Sequence, residues 1–384
     1  MIVVIADDLT GAAELGGIGV RYGLDVEIET EVNTNTKADL LVISADSRSL
    51  PEKEAVALMA TITKDVARLK PGIIYKKVDS VMRGHIVEEL KVQMEAMHMH
   101  KALLVSANPL LGRTIRDRVY YMQGQPIHTT SFSIDPEFPV KSSDVLHMLH
   151  TEDAQVQVRK KEEGILDQGI TVGEASDMED LKTWALQADA NTFLAGAANF
   201  FIAVLEKQGY KSKVVVEQKF KLPGTSSLFV CGTTFQKSRE EINRIWKNEG
   251  PVSYMPLEII NSTKDASQYF EKWSEDVVSL LKKYHKAIIA IEDSMVKGTG
   301  ISAKDLREKT AEGVQKILTQ FPAHELVIEG GSTAASIINA LGLKRFIPVN
   351  EYAQGVIRMK SVNEPLYLTI KPGSYNWPEN IWNF

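Results

Sequence analysis

The sequence has little of what membrane, secreted and nucleic-acid-binding proteins require. Its single cysteine, Cys231, excludes an internal disulfide, so a reducing cytoplasm is the expected location. No run approaches the roughly 18 apolar residues of a membrane-spanning helix. The start carries no basic segment and has two aspartates by position 8, which indicates a folded strand rather than a signal peptide. The formal net charge is −6, whereas nucleic-acid binding needs a basic surface. Small molecules, anionic ones included, remain the expected ligands.

What the chain does contain is a regular alternation of short apolar runs and amphipathic segments. Its 384 residues are 44% hydrophobic, which suits two or three globular domains. Strands alternating with helices predict βαβ units and therefore an α/β fold with mainly parallel sheets. The pattern predicts, among others, strands at Ile2–Ala6, Leu40–Ser44 and Ser227–Val230, and helices at Glu52–Leu69, Met178–Gln187 and Thr333–Leu341.

One segment interrupts this alternation. Lys207 to Gly224 is rich in lysine, contains Gly209 and Pro223, and has little amphipathic period. Such a composition is typical of a connection between domains. The sequence therefore predicts two domains, residues 1–222 and residues 223–384.

Two adjacent carboxylates follow the first predicted strand. Asp7 and Asp8 come directly after Ile2–Ala6, where ligands bind in open α/β sheets. They suit proton abstraction, metal binding or hydrogen bonding to hydroxyl groups, and Thr10 is the predicted N-cap of the next helix. The alternative is that the pair only caps this helix and faces solvent. Ala6 stands where an aspartyl phosphatase needs its nucleophile, so that chemistry is disfavoured.

Cationic residues gather in two further segments. Lys76 to His85 combines Lys77, Asp79, Ser80, Arg83 and Gly84 between a predicted strand and a helix. Arginine can clamp a carboxylate through two hydrogen bonds, and a helix N-terminus favours anions. The alternative is a solvated charged turn, above all for Lys76. In 108–139, predicted as a long loop, Arg113 is the functional candidate, whereas Arg116 and Arg118 are expected to be solvated.

The second half contains three glycine-containing turns, the first two of which follow predicted strands. They are Gly232-Thr233-Thr234, Gly330-Gly331-Ser332-Thr333 and Lys371-Pro372-Gly373. Backbone N–H groups in such turns can cradle phosphate. Each turn alone is weak evidence, because many strand-to-helix turns need glycine for a positive φ. Together they indicate a nucleotide site. Cys231 lacks a histidine partner and is interpreted as a small residue near that site.

These segments together resemble the four-carbon acid sugar kinase family over essentially the whole length. Ala6 to Ala12 resembles its opening motif, and Lys76 to Gly84 is similar to Lys-Lys-Ile-Asp-Ser-Thr-Leu-Arg-Gly. Gly124 to Pro136 resembles the segment after the family's Asn-Pro/Gly-Arg loop. The turn at Gly330 resembles Gly-Gly-Glu-Thr, and the last two motifs match Glu351 to Val356 and Lys371 to Gly373.

The resemblance implies two α/β domains with mainly parallel sheets and an interdomain cleft. The N-terminal domain would take a sugar acid and the C-terminal domain ATP with Mg²⁺. The implied reaction phosphorylates a terminal hydroxyl of a tetronate such as threonate, erythronate or 3-oxo-tetronate. A homodimer is compatible with the family. The implied catalytic groups are Asp8 and Asp7, and the substrate-binding residues are Asp79, Ser80, Arg83, Lys77 and Arg113. The nucleotide-binding residues are Gly232, Thr233, Thr234, Gly330, Gly331, Ser332, Thr333, Gly355 and Gly373.

The chain departs from the family pattern at four positions. Val81 and His85 stand where Thr and Asn are usual, Ser332 replaces the Glu of the nucleotide turn, and Phe235 replaces a common Ser. The substrate can therefore differ from the usual tetronates. Two other functions remain open on the residues alone. One is an ATP-independent phosphatase or aldolase-like enzyme acting on phosphorylated sugar acids, and the other is a non-catalytic sensor of sugar acids or nucleotides.

Overall fold

The structure is a computed structural model that describes residues 1–134, 138–213, 226–232, 236–262, 266–296, 298–373 and 375–384. The chain divides into two compact units, Met1–Val214 and Val215–Phe384. The predicted boundary between residues 222 and 223 lies outside the described residues and stays a prediction. No helix in the described ranges is long and apolar enough to cross a membrane.

The N-terminal unit is an α/β layer structure built on a parallel sheet. In its described residues the strand order is β2-β3-β1-β4-β11-β5-β10-β9, with every neighbouring pair parallel. The strands are β1 (Ile2–Ala6), β2 (Val26–Glu29), β3 (Leu40–Ser44), β4 (Ile73–Lys77), β5 (Lys101–Val105), β6 (Arg113–Arg116), β7 (Val119–Met122), β8 (Gln125–Pro126), β9 (Val156–Arg159), β10 (Gly169–Gly173) and β11 (Thr192–Gly196).

Helix α2 of this unit buries one apolar face against the core. In α2, the buried residues Ala55, Met59, Ile62 and Val66 recur at helical spacing. Met59, Ile62 and Val66 join the core formed by strand residues such as Val3 and Ile43. The helices are α1 (Leu9–Arg21), α2 (Glu52–Arg68), α3 (Ile86–Ala96), α4 (Val145–Met148), α5 (Met178–Gln187) and α6 (Ala198–Lys207).

The interpretation of 108–139 as a long loop is wrong for much of its length. Strands β6, β7 and β8 form a small antiparallel sheet there. Asp117 and Arg118 connect β6 to β7, and both have positive φ, as do Gln123 and Gly124 between β7 and β8. Two-residue connections of this kind match the twist of a hairpin. Asp117 and Arg118 are not the Asn-Gly pair that marks such a turn in a sequence, so the hairpin escaped prediction.

The C-terminal unit is a second α/β structure. Its described strands are ordered β13-β14-β12-β15-β18-β17-β16, the first five parallel and β17 antiparallel to both neighbours. The strands are β12 (Ser227–Cys231), β13 (Val252–Tyr254), β14 (Lys286–Ala290), β15 (Glu325–Glu329), β16 (Arg345–Ala353), β17 (Val356–Ser361) and β18 (Tyr367–Lys371). The helices are α7 (Gln236–Lys247), α8 (Leu257–Ile260), α9 (Ser267–Tyr284), α10 (Asp293–Val296), α11 (Ala303–Gln320) and α12 (Gly331–Ala340).

Each unit has a point where two neighbouring strands lead to opposite sides of its sheet: β1 leads to β2 and β4 to β5, and β12 leads to β13 and β15 to β16. Strand β1 lies between β3 and β4, and β12 lies between β14 and β15. Ligands of open α/β sheets bind outside the carboxyl ends of strands at such points. The predicted α/β class is confirmed, and the sheet order draws attention to the residues that follow β1 and β12.

Candidate functional site

Three strands of the N-terminal unit end level with one another. Ala6 of β1 pairs with Ser44 of β3 and with Lys77 of β4. The residues that follow these ends therefore emerge at one edge of the sheet. They are Asp7 and Asp8 after β1, Arg48 after β3, and Asp79 after β4.

Arg48 is the group that joins this cluster. Its Nε and Nη2 donate to the two carboxylate oxygens of Asp7 at 2.9 and 3.0 Å. Its Nη1 donates to Asp8 Oδ2 at 2.9 Å and lies 3.8 Å from Asp79 Oδ1. Arg48 was not predicted from the sequence. The sequence does contain a signal for a cation here, namely three carboxylates at predicted strand ends, because buried carboxylates require a cation nearby.

Asp8, not Thr10, is the N-cap of α1, so the prediction for Thr10 is wrong. Asp8 Oδ1 accepts the Gly11 N–H at 2.8 Å, and the Thr10 hydroxyl donates to Asp8 Oδ2 at 2.6 Å. A Cβ on Gly11 would lie 2.7 Å from Asp8 Oδ1, so the turn requires glycine. The alternative of a solvent-facing pair is also wrong, because Asp7 and Asp8 are 3% and 8% exposed.

The two aspartates differ in their protonation behaviour. Burial raises the pKa of Asp7, and the Arg48 charge offsets this only in part. Burial acts on Asp8 as well, but the charges of Arg48 and Lys77 and the hydrogen bonds from Thr10 and Gly11 outweigh it and lower the pKa of Asp8. Neighbouring carboxylates with pKa values pushed apart are typical of acid–base sites. The electrostatic surroundings therefore favour the ionised form more strongly at Asp8 than at Asp7.

The segment from Lys76 to His85 is buried as far as Met82 and partly buried from Arg83 onward. Lys76 is fully buried and pairs with Glu89 of α3, so its interpretation as a solvated side chain is wrong. Lys77 is also buried; its Nζ donates to the carbonyl of Val78 at 2.9 Å and lies 3.8 Å from Glu14. This places the Lys77 ammonium beside the aspartate pair.

Asp79 and Arg83 form a two-point ion pair within this segment. Arg83 Nε and Nη2 donate to Asp79 Oδ2 and Oδ1 at 2.8 and 2.9 Å. Burial raises the pKa of Asp79, but Arg83 and Arg48 outweigh it and hold the value well below its usual range. Asp79 is therefore a fixed anion that orients two guanidinium groups.

The small sheet completes the cluster. Arg113 of β6 donates to the Ser80 hydroxyl, and the Tyr120 hydroxyl of β7 donates to the Ser80 carbonyl. The guanidinium carbons of Arg83 and Arg113 lie 5.8 and 5.7 Å from the Phe132 ring centroid. Tyr120 and Phe132 were not predicted, since only the hairpin brings them to the site. Arg116 and Arg118 are exposed, as expected.

The ion pairs of Asp79 predict a pH-dependent stability. A carboxylate with a folded pKa below the unfolded value of 3.8 stabilises the fold above that value and loses the contribution as pH falls through the folded pKa. Asp79→Asn is expected to cost about 3 kcal/mol of unfolding free energy at pH 7. Urea unfolding at several pH values should show the difference from wild type shrinking below about pH 4. A difference that stays constant down to pH 2 would contradict this account.

Three strands of the C-terminal unit also end level with one another. Glu329 of β15 pairs with Cys231 of β12 and with Lys371 of β18. These ends are followed by Gly232, by Gly330 and by Pro372-Gly373, respectively. The Gly330 N–H donates to the Lys371 carbonyl at 3.0 Å. The strand ends that precede the three predicted turns lie apart in sequence but are neighbours in space.

The turn after β15 has the features of an anion site. Gly330 adopts φ 99° and caps α12 without any side-chain hydrogen bond to the helix. The first N–H groups of a helix have no partner within it, and they favour phosphate. These groups belong to Gly331, Ser332 and Thr333. A Cβ on Gly232 would lie 2.6 Å from the Thr333 hydroxyl, so glycine allows the two turns to approach.

Two of the remaining predicted nucleotide-site residues, Gly355 and Gly373, are described by the structure. Gly355 lies in the β16–β17 turn with φ 72°, against the Tyr375 ring, and Gly373 follows β18. Thr233, Thr234 and Phe235 lie outside the described residues. Among the side chains that the structure describes, no three His, Cys, Asp or Glu gather as a metal site. Mg²⁺ in phosphoryl-transfer sites usually takes only one or two carboxylates plus substrate phosphates, so such a site need not contain a cluster of three of these side chains.

Comparison with known proteins decides the family. A family of sugar-binding N-terminal domains matches residues 2–204, and one of nucleotide-binding C-terminal domains matches residues 228–375. The chain belongs to the four-carbon acid sugar kinase family. The resemblance seen in the sequence is thereby confirmed.

Full-length relatives support this membership. A D-threonate kinase of Salmonella typhimurium is 24% identical, with 92% of this chain and 89% of the relative covered. A 3-oxo-tetronate kinase of Actinobacillus succinogenes is 21% identical, with 98% and 96% covered. A solved Haemophilus influenzae protein shares the fold with a TM-score of 0.72 and 19% identity, covering 99% of this chain and 98% of that one.

Proposed function

We propose that the chain is an ATP-dependent kinase that transfers phosphate to the terminal hydroxyl of a four-carbon acid sugar. The observation that carries the proposal is the set of groups at the end of β1 and β4. Carboxylates and guanidinium groups lie side by side there. The carboxylates suit the hydroxyls of a ligand, and the guanidinium groups suit its carboxylate. ATP would bind to the family's nucleotide-binding domain, at the glycine turns after β12, β15 and β18.

The cationic groups of the site would hold the carboxylate of the sugar acid. Arg48 and Arg83 keep 14% and 24% of their side chains exposed although Asp7 and Asp79 orient them. A ligand carboxylate can therefore reach the exposed parts of these two guanidinium groups, and arginine suits two-point binding of such a group. Arg113 and Lys77 add positive charge, and Ser80 and Asp79 offer partners for ligand hydroxyls.

Asp8 is the proposed proton acceptor. In the transfer, the substrate hydroxyl gives its proton to the Asp8 carboxylate while its oxygen bonds to the γ-phosphorus. The bond from that phosphorus to the bridging oxygen breaks, and ADP leaves with the electron pair. Phosphoryl transfer relies mainly on positioning and charge neutralisation. Gly232, Thr233, Thr234, the Gly330–Thr333 turn, Gly355 and Gly373 would hold the nucleotide, and Mg²⁺ would neutralise phosphate charge.

An ADP-release assay tests this function. The purified chain with ATP and Mg²⁺ is offered D-threonate, D-erythronate, 3-oxo-tetronates and, because of the departures at Val81 and His85, five-carbon acids. We expect ADP release that depends on both ATP and at least one four-carbon acid, and loss of activity with EDTA. Turnover of a phosphorylated sugar acid without ATP would instead indicate a phosphatase or aldolase, and binding without turnover would indicate a sensor.

Two finer expectations accompany the proposal. A cytoplasmic location and a homodimer both remain predictions. Light scattering of the purified chain measures the oligomeric state, and cell fractionation measures the location.

A further inference from the structure

Glu329 is a buried carboxylate at the centre of the three glycine turns. Its side chain is fully buried. Its Oε1 accepts the Ser238 hydroxyl at 2.7 Å and lies 3.1 Å from Lys371 Nζ, and its Oε2 accepts the Trp377 indole N–H at 3.0 Å. Both oxygens are therefore engaged by groups of the protein.

Each partner of Glu329 belongs to a different segment at the proposed nucleotide site. Ser238 lies at the start of α7, the helix that follows the Gly232 turn. Lys371 ends β18, directly before Pro372-Gly373. Trp377 lies in the segment 375–384, whose Tyr375 ring packs against Gly355. One carboxylate thus connects the segments that carry all the predicted glycine turns, with Gly330 as its own neighbour in sequence.

The segment 375–384 is itself held firmly to this unit. Trp382 and Phe384 make edge contacts with Phe229 of β12, at centroid distances of 5.7 and 4.8 Å. Lys237 of α7 donates to the Asn376 side chain at 3.0 Å. The Trp377 ring also lies 5.1 Å from Lys371 Nζ. The indole N–H that reaches Glu329 is consequently well placed and has little freedom to move.

The environment of Glu329 indicates a positional role. A fully buried carboxylate is tolerated only when charge and hydrogen bonds compensate its lost hydration. Burial also lowers the pKa of Lys371, and the Glu329 charge opposes that effect. With its oxygens occupied and no exposed surface, Glu329 is not available to bind a nucleotide or a metal directly.

We propose that Glu329 is a positioning residue for the nucleotide. By binding Ser238, Lys371 and Trp377 together, it sets the spacing of the turns at Gly232, Gly330 and Gly373 that cradle the phosphates of ATP. This inference rests on the proposed kinase function, since it assigns those turns to ATP.

The same strand supplies a matched control. Glu325 stands at the opposite end of β15, is 1% exposed and binds Arg358 and Thr369. It resembles Glu329 in residue type, strand, burial and ion pairing. It differs in lying at the amino end of the strand, away from the glycine turns. A purely structural effect of losing a buried carboxylate should therefore be similar at both positions.

The experiment compares Glu329→Gln with Glu325→Gln. Initial rates give the KM for ATP and for the sugar acid, and urea unfolding gives the stability of each variant. We expect Glu329→Gln to raise the KM for ATP about tenfold or more, with the KM for the sugar acid unchanged within about twofold. Glu325→Gln is expected to lose stability while keeping the wild-type KM for ATP. Equal KM values for ATP in the two variants would overturn the inference.

A second pair of variants covers the case in which Glu329→Gln fails to fold. Trp377→Phe and Ser238→Ala each remove one hydrogen bond to Glu329 without leaving Lys371 unpaired. Both are expected to weaken ATP binding severalfold in calorimetry and to leave sugar-acid binding unchanged. Wild-type ATP affinity in both would contradict the proposal. If the wild-type chain neither binds nor consumes ATP, the proposed function fails instead, so the two failures are distinguishable.

Discussion

Asp8→Asn is expected to lower kcat about 10²- to 10⁴-fold, the usual cost of removing a positioned general base. The asparagine oxygen can still accept the Gly11 N–H and cap α1. Its amide would, however, face Arg48 Nη1 and the Thr10 hydroxyl, which donate to Asp8 Oδ2 in the wild type, so some free energy of unfolding should be lost as well. The pKa of Asp8 is lowered, which keeps the wild-type carboxylate ionised. Steady-state kinetics and urea unfolding on the same preparations measure both quantities.

Asp7→Asn is the matched comparison for this prediction. Both oxygens of Asp7 are bound by Arg48, so an asparagine there replaces one acceptor by a donor that faces the guanidinium. We expect a lower stability and a higher KM for the sugar acid, with a smaller fall in kcat than in Asp8→Asn. If the large fall in kcat follows the Asp7 substitution instead, Asp7 is the base and Asp8 only shapes the turn.

Arg48→Met is expected to have the largest combined effect on stability and binding. The guanidinium lies within 3.8 Å of carboxylate oxygens of Asp7, Asp8 and Asp79. Its removal leaves buried negative charges without their shared partner, which costs about 3–5 kcal/mol of unfolding free energy. It also removes a proposed contact to the substrate carboxylate, so the KM for the sugar acid should rise at least tenfold. Urea unfolding and initial-rate kinetics check both effects.

Arg48→Lys separates the two contributions. Lysine keeps the positive charge but lacks the planar fork that binds both oxygens of Asp7. We expect much of the stability to return while the KM for the sugar acid stays high. Wild-type stability and wild-type KM in Arg48→Met would show that the guanidinium neither holds the aspartates nor contacts the substrate.

The local pattern of apolar and polar residues was sufficient to predict much of the fold. The apolar run Ile2–Ala6 and the helix Met178–Gln187 were predicted with the bounds that the structure shows. A short continuous apolar run is typical of a strand that is buried on both faces. A helix with one apolar face instead repeats its apolar residues about every 3.6 positions, and a sequence displays both patterns directly. The hairpin of β6 and β7 was missed because its turn, Asp117-Arg118, carries no glycine to mark it.

The sequence by itself determined the α/β class, the family, and the positions of Asp7, Asp8, Asp79 and Gly330 just after strands. Each of these depends on neighbours along the chain or on a motif. Only the tertiary structure decided which groups meet at those strand ends. Arg48 reaches Asp7, and Glu329 reaches Trp377, because sheet order and register bring distant segments level. That order is a property of the packed sheet, and no local pattern in the chain encodes it.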